Sequence, residues 1–284
     1  MEGTEAAVCT ASGMSAISSA LLQICHQGDE SIASHTILGI TTTFVNPTDV
    51  SAFEKAITQK TKIFYVEAMA NPTLTVADLP ALADLAHKNG IKLVVDNAFT
   101  PLMISPINQR ADVVVHSLTK FINGASDIIG GAICASKEFI LELMDLHRGG
   151  AMLLGPTMDP RAAFDVIQRL PPLGIRIKEH CLRALAMAKH LKSLFAPVYY
   201  PGLADHPQHD LLKKIANPEF GFGGILALDC RTTLRAERLL AILQNQEKFG
   251  LIVVSLGYCD TLISCSGSST SSEIPPEDQA DMGL

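Results

Sequence analysis

The chain has 284 residues, 48% of them apolar and 18% charged, and a formal charge of −7. Such a length and apolar share predict a compact globule of roughly one and a half to two domains. An acidic balance without a basic run argues against nucleic acid and anionic membrane as partners, and no apolar run approaches the ~20 residues that span a bilayer.

Ala6 to Cys9 predicts a short strand, and Ile17 to Ile24 an amphipathic helix. Between them lies Thr10-Ala-Ser-Gly-Met-Ser-Ala16. A strand, a small-residue turn and a helix start leave free backbone N–H groups at the positive end of the helix dipole, which suits an anion. Gly13 lets the backbone approach a phosphate closely; Ser12 reads equally as an ordinary N-cap. Ile63-Phe-Tyr-Val-Glu67 predicts a second strand. Asp78 to Lys88 predicts a helix with Leu79, Leu82, Leu85 and Ala86 on one face and Gly90 as its stop. Lys92-Leu-Val-Val-Asp96-Asn97 predicts another strand, ending in an acid. This βαβ alternation predicts an α/β fold on a mostly parallel sheet.

The run Ala111-Asp-Val-Val-Val-His-Ser-Leu-Thr-Lys120 carries the strongest chemical signal. Val113 to Val115 reads as a buried strand that delivers Lys120 at its end, with Ser117 and Thr119 close by and a Gly-rich turn and second apolar run after it. A lysine in a dry site loses solvation, its pKa falls, and its amine becomes a nucleophile fit for carbonyl chemistry. Hydroxyls beside it suit a phosphate, and the combination points to pyridoxal 5′-phosphate (PLP). Asp96 strengthens that reading, because PLP is an electron sink only while its ring nitrogen stays protonated, and a carboxylate keeps it so. Both residues fall at strand ends, where open α/β sheets bind ligands. The plain alternatives are a lysine snorkelling to water and an Asp-Asn turn.

Farther on, His180 to Phe195 predicts a long helix, with Pro171-Pro172 limiting any earlier continuation. A strand over Gly223 to Asp229, a helix over Arg235 to Leu243 and a strand over Ile252 to Ser255 follow. They predict a smaller α/β unit over 177–284 packed on a large unit over 1–176, with the boundary near Ile175 to Glu179. The Ser/Gly/Pro-rich tail from Ser264 reads as mobile. His206 and His209 sit in a Pro/Gly-rich loop without a third ligand, so no metal is expected. Seven cysteines at scattered spacing, without a C-x-x-C pair, predict a reducing, cytoplasmic setting. No secretory leader is read ahead of Glu2.

In order, Ser12-Gly-Met14, Glu67-Ala-Met-Ala-Asn71-Pro-Thr-Leu74, Val94-Val-Asp-Asn-Ala-Phe99 and His116-Ser-Leu-Thr-Lys-Phe-Ile-Asn-Gly-Ala-Ser-Asp-Ile-Ile-Gly-Gly131 resemble the Cys/Met-metabolism PLP enzymes. Tyr200-Pro-Gly-Leu-Ala-Asp-His-Pro-Gln-His209 and Val254-Ser-Leu-Gly257 extend the resemblance over nearly the whole chain. Leu154-Gly-Pro-Thr-Met-Asp-Pro160 and Ser264 to Glu273 look most like the plant-type methionine γ-lyases.

The resemblance implies a type I, aspartate aminotransferase-like PLP fold and a homotetramer, a dimer of dimers, acting on sulfur amino acids. Lys120 would anchor PLP and then shuttle the proton between substrate carbons. Asp96 would pair with the ring nitrogen and Asn71 with the 3′ oxygen. Gly13 and Met14 would offer N–H groups, and Ser117 and Thr119 hydroxyls, to the phosphate. Ser255 would lie near the substrate carboxylate, although it also reads as a strand-ending hydroxyl. The implied chemistry is γ-elimination of a thiol: methionine would give methanethiol, 2-oxobutanoate and ammonia. Cystathionine γ-lyase and γ-synthase are sister readings.

The chain departs from the family pattern in four places. The family has a long segment ahead of the position of Met1, supplying a Tyr and an Arg to a neighbouring subunit's phosphate. His35-Thr-Ile-Leu-Gly-Ile-Thr41 joins segments that the family separates by a longer connection, whose Tyr-Gly-Gly-Thr signature stacks a Tyr on the ring. The family continues past the position of Leu284 to an Arg that clamps the substrate carboxylate. Ala98 stands where a Thr is usual. These departures imply an incomplete fold, weak PLP binding and slow turnover, and they keep open a catalytically silent truncated member.

Overall fold

The computed structural model describes residues 1–33, 40–194, 196–253 and 255–266. In chain order its elements begin with β1 (Ala6–Thr10), α1 (Gly13–Ile24), β2 (Glu30–Ala33), β3 (Thr41–Phe44), α2 (Val50–Ala56), β4 (Thr61–Glu67) and α3 (Leu79–Lys88). Next come β5 (Lys92–Asp96), β6 (Val113–Ser117), β7 (Gly131–Ala135), α4 (Lys137–Leu143), α5 (Gly150–Leu154), α6 (Pro160–Arg169) and α7 (Leu173–Ser193). The last are β8 (Val198–Tyr199), α8 (His209–Ile215), β9 (Ala227–Leu228), α9 (Thr233–Asn245), β10 (Leu251–Ile252) and β11 (Leu262–Ile263).

β1 to β7 form one seven-stranded sheet in the order β1-β7-β6-β5-β4-β2-β3. β6, β5, β4, β2 and β3 are parallel, and β7 runs antiparallel to both of its neighbours. The apolar runs explain the centre of this sheet. Leu93, Val94 and Val95 in β5 and Val113, Val114 and Val115 in β6 are buried on both faces, as strands between helical layers must be. On one face Ile63, Tyr65, Val94, Val113 and Val115 pack with Ala16, Ala20 and Leu21 of α1 and with Ile140 and Leu143 of α4. On the other, Phe64, Val66, Leu93, Val95 and Val114 pack with α3, α7 and α8. The result is an α/β/α sandwich of the expected class.

Helix ends follow local chemistry. Asp78 Oδ1 accepts the Ala81 N–H at 3.2 Å to start α3, and Gly90, at φ +68°, follows its end. α7 starts directly after Pro172, earlier than its apolar pattern suggests, because proline limits only what precedes it. It runs unbroken past residue 176. The strand expected over Gly223 to Asp229 shrinks to β9, which pairs with β8. Its glycines serve another purpose: a Cβ on Gly224 would lie 2.8 Å from His180 Cβ and 3.2 Å from Phe121. Close approach of this segment to α7 and to the turn after β6 replaces ladder pairing there. The strand expected over Ile252 to Ser255 reduces to β10, Leu251–Ile252. Within the short connection at His35 to Thr41, residues 35–39 lie outside the described residues, as does the tail from residue 267.

Candidate active site

The parallel direction of the strands brings the chemistry to one sheet edge. Glu67 pairs with Asp96, Asp96 with Val115, Ser117 with Gly131, and Gly131 with Thr10. The ends of β4, β5, β6 and β1 therefore stand side by side. The small-residue turn, the acid and the lysine segment, far apart in sequence, share that edge.

At one end of the row, Ser12 caps α1. Its hydroxyl accepts the Ser15 N–H at 3.0 Å, and the Ser15 hydroxyl accepts the Ser12 N–H at 2.9 Å. The N–H groups of Gly13 and Met14 have no protein acceptor among the described residues and point out of the helix end. A Cβ on Gly13 would sit 2.8 Å from Ser117 Cβ and 3.0 Å from its hydroxyl, so only glycine lets the helix meet β6 here. Gly131 has the same role across the strand pair: a Cβ there would come within 2.6 Å of Thr10 Oγ1. Thr119 is placed differently from Ser117. Its hydroxyl accepts the Gly130 N–H at 3.2 Å and is thereby tied to the start of the next segment.

Asp96 sits mid-row. Its Oδ1 accepts the Ala98 N–H at 2.9 Å, and its Oδ2 accepts the Tyr65 hydroxyl at 3.2 Å. Burial pushes its carboxyl upward, opposed by the Ala98 bond, the His116 imidazole and Tyr65. Glu67 is pushed up to about 8 by burial and by Asp96, while the Asn71 N–H, 3.1 Å from its Oε2, pulls the other way. Asn71 thus opens its turn on Glu67, ahead of a cis bond to Pro72. On the opposite face, Glu2 Oε1 accepts Asn97 Nδ2 at 3.0 Å and lies 2.9 Å from His116 Nε2. That buried carboxylate ties the end of β5 to the end of β6.

Lys120 follows β6 in a tight turn, its half-buried amine shifted downward by desolvation. Two arginines hold the turn from behind. Arg176 of α7 donates to the Phe121 and Ile122 carbonyls at 2.7 and 2.8 Å, and Arg169 of α6 binds Asn123 and Asp127. In front, Lys120 Nζ donates to Ser255 Oγ at 3.2 Å. Gly257 makes this possible, since a Cβ there would be 2.7 Å from the Lys120 carbonyl carbon.

The donor set fits PLP. Free N–H groups and the Ser117 hydroxyl suit its phosphate, the Asp96 carboxylate its ring nitrogen, and the amine of Lys120 its aldehyde carbon. Among the described residues no group of His, Cys, Asp and Glu is arranged to hold a metal. Tyr65, Glu67, Gly131 and the two arginines were not singled out from the sequence. Two signals were available for some of them: Tyr65 and Glu67 share the strand-end face by their spacing of two, and Gly131 closes the lysine motif.

Comparison with known proteins places these features in context. The chain matches the Cys/Met metabolism PLP-dependent enzyme family over residues 1–284. It is 48% identical to a methionine γ-lyase of Arabidopsis thaliana, over 100% of this chain and 68% of that protein. A cystathionine γ-lyase of Bacillus subtilis is 34% identical over 100% of the chain and 76% of its own length. Among solved structures, a cystathionine γ-synthase of Xanthomonas oryzae pv. oryzae superposes with a TM-score of 0.90 at 30% identity, covering 100% of this chain and 75% of that one.

Proposed function

Because the chain belongs to the Cys/Met metabolism PLP-dependent enzyme family, we propose that it is a carbon–sulfur lyase of the methionine γ-lyase type. It would convert methionine and water to methanethiol, 2-oxobutanoate and ammonia. The observation that carries this reading is the 48% identity to the Arabidopsis methionine γ-lyase along the full chain.

When bound, PLP supplies the electron sink that makes protons on the substrate's Cα and then Cβ removable. The chain's own residues do the rest. Gly13, Met14 and Ser117 would bind the phosphate, Asp96 would hold the ring nitrogen protonated, and Asn71 would contact the 3′ oxygen. Lys120, whose burial favours the neutral amine, takes the Cα proton at Nζ and relays it. Ser255, hydrogen-bonded to that Nζ, orients the amine and would lie near the substrate carboxylate. Thr119 braces the lysine segment against Gly130 and lends its hydroxyl to the phosphate end.

We also propose a division into a cofactor-binding unit over 1–176 and a smaller unit over 177–284, supported by the main sheet falling wholly within β1 to β7. A homotetramer is supported by the exposed apolar side chains of α6 and α7: Phe164 at 62%, Ile167 at 59%, Ile175 at 74% and Leu182 at 63%. We further propose a cytoplasmic setting, supported by the scattered spacing of the seven cysteines without a C-x-x-C pair. No helix among the described residues is long and apolar enough to cross a membrane.

The test is purified chain with added PLP, followed by its visible spectrum and by product release. Methanethiol and 2-oxobutanoate from methionine support the lyase. 2-Oxobutanoate from cystathionine alone supports the cystathionine γ-lyase reading. Bound PLP without either product supports a catalytically silent member, and no bound PLP overturns the site.

A further inference from the structure

The ends of β4 and β5 carry two carboxyl groups side by side. Glu67 and Asp96 are register partners, so their side chains leave one face of the sheet from strands about 4.8 Å apart. Tyr65, two residues before Glu67, shares that face and is buried beneath the pair. Its hydroxyl donates to Asp96 Oδ2 at 3.2 Å, and the Ala98 N–H donates to Oδ1 at 2.9 Å. Among the described residues Glu67 receives one donor, the Asn71 N–H at 3.1 Å.

Two carboxyls this close and this dry do not both ionise readily; one shared negative charge is the favourable state. Which group carries it decides what the edge can hold. An ionised Asp96 pairs with a protonated ring nitrogen, whereas a neutral Asp96 with an ionised Glu67 leaves that nitrogen without its partner. We propose that Tyr65 is a positioning residue that assigns the charge of the Glu67–Asp96 pair to Asp96 and fixes the plane of its carboxylate. The cofactor consequence rests on the PLP reading above.

The titratable groups that act on Asp96 are Tyr65 and Glu67 from β4, on its own face, and His116 of β6, from the other face. His116 acts through space, its Nε2 being engaged with Glu2. Tyr65 alone of the three makes a hydrogen bond to Asp96. It is also a dependable donor, because burial and the two neighbouring carboxyls hold its phenol well above the usual range. The bond count therefore favours the anion on Asp96 and the proton on Glu67.

The test uses the full chain with Tyr65→Phe, Glu67→Gln and the double variant. Phenylalanine keeps the buried ring and removes only the donor. Glutamine removes the competing acid and keeps an acceptor for Asn71. The readouts are the ¹³C-carboxyl NMR titration of Asp96 in cofactor-free protein and the PLP dissociation constant across pH. Tyr65→Phe is expected to raise the Asp96 midpoint by roughly one pH unit and to weaken PLP about tenfold in mildly acidic buffer, with a smaller loss in alkaline buffer. The double variant should return the midpoint to near its original value and recover most of the affinity. An unchanged Asp96 midpoint in Tyr65→Phe overturns the proposal. So does a loss of affinity equal at every pH and not recovered in the double variant, which marks a merely structural role. If the parent chain binds no PLP, the functional reading fails, yet the carboxyl titration still decides the role of Tyr65.

Discussion

Lys120 Nζ and Ser255 Oγ stand 3.2 Å apart although 135 residues separate them in sequence. The contact depends on Gly257, which lies against the Lys120–Phe121 backbone with φ +88°. Both the left-handed backbone and the lack of a side chain are needed there. Gly257→Ala is therefore expected to push the Ser255 segment off the lysine. The relevant measurement is the pH dependence of Lys120 labelling by PLP and borohydride. In the variant, labelling should weaken while the seven-stranded sheet, and with it the far-UV circular dichroism, stays close to the parent. Unchanged labelling would show that Ser255 does not orient the amine.

Lys120 itself makes a sharper claim. Borohydride reduction followed by peptide mapping should place PLP on Lys120, and Lys120→Ala should abolish covalent retention. Label at another lysine with Lys120 unmodified would reject the assignment.

Asp96→Asn tests the ring-nitrogen partner. Asn keeps the size of the side chain but removes the charge that holds the nitrogen protonated. Methanethiol release is expected to fall by about 100-fold or more, the order of one charge-assisted contact in a dry site. Thermal stability of the cofactor-free chain should change little, since the Ala98 N–H keeps the one amide oxygen and the Tyr65 hydroxyl can turn to accept from the new NH2.

Gly13→Ala probes the anion end. The added methyl would meet Ser117 Cβ at 2.8 Å, and the atoms around it are backbone and a short side chain that cannot swing away. A cost of about 1–3 kcal/mol is expected from overpacking. PLP and inorganic phosphate binding should both weaken, measured by fluorescence titration. Parent-like stability with parent-like phosphate binding would place the anion elsewhere.

How far these relationships were legible in the sequence depends on their range. Asp96 and Lys120 stood out because strands buried on both faces read as unbroken apolar runs, one ending in Asp96 and the other leading through a short turn to Lys120. The turn at Ser12 and Gly13 was legible for a local reason, the helix cap. The reversed direction of β7 was not, because nothing in Gly131 to Ala135 fixes direction. Nor was the tie from Glu2 to His116 and Asn97, which joins residues about a hundred positions apart. The glycines at 223 and 224 misled in the opposite sense: an apolar run after them resembles a strand, while Gly224 packs closely on His180 of α7 and Gly223 lies against Met69 and Met103. Tyr65 was hidden by its own aromatic character, since a buried strand tyrosine reads as core until its hydroxyl is seen on Asp96.

Glu67 yields a prediction on stability that needs no cofactor. Its carboxyl is pushed up to about 8 in the fold, against about 4.3 in an unfolded chain. Below the unfolded value both states hold the proton, and the group is neutral to folding. As pH rises between the two values, the unfolded chain releases the proton while the folded chain keeps it. The folded state then binds more protons, so stability falls with pH across that window and levels off above it. Glu67→Gln removes the titration but keeps an acceptor for the Asn71 N–H. Relative to the parent, the variant should show little difference near pH 4 and gain on the order of 2 kcal/mol by about pH 8, read as urea midpoints of cofactor-free protein. Comparing variant with parent at each pH cancels the titration of groups that do not interact with the Glu67–Asp96 pair. A difference that does not grow with pH would mean that Glu67 ionises normally in the fold, and that the charge beside Asp96 is not withheld.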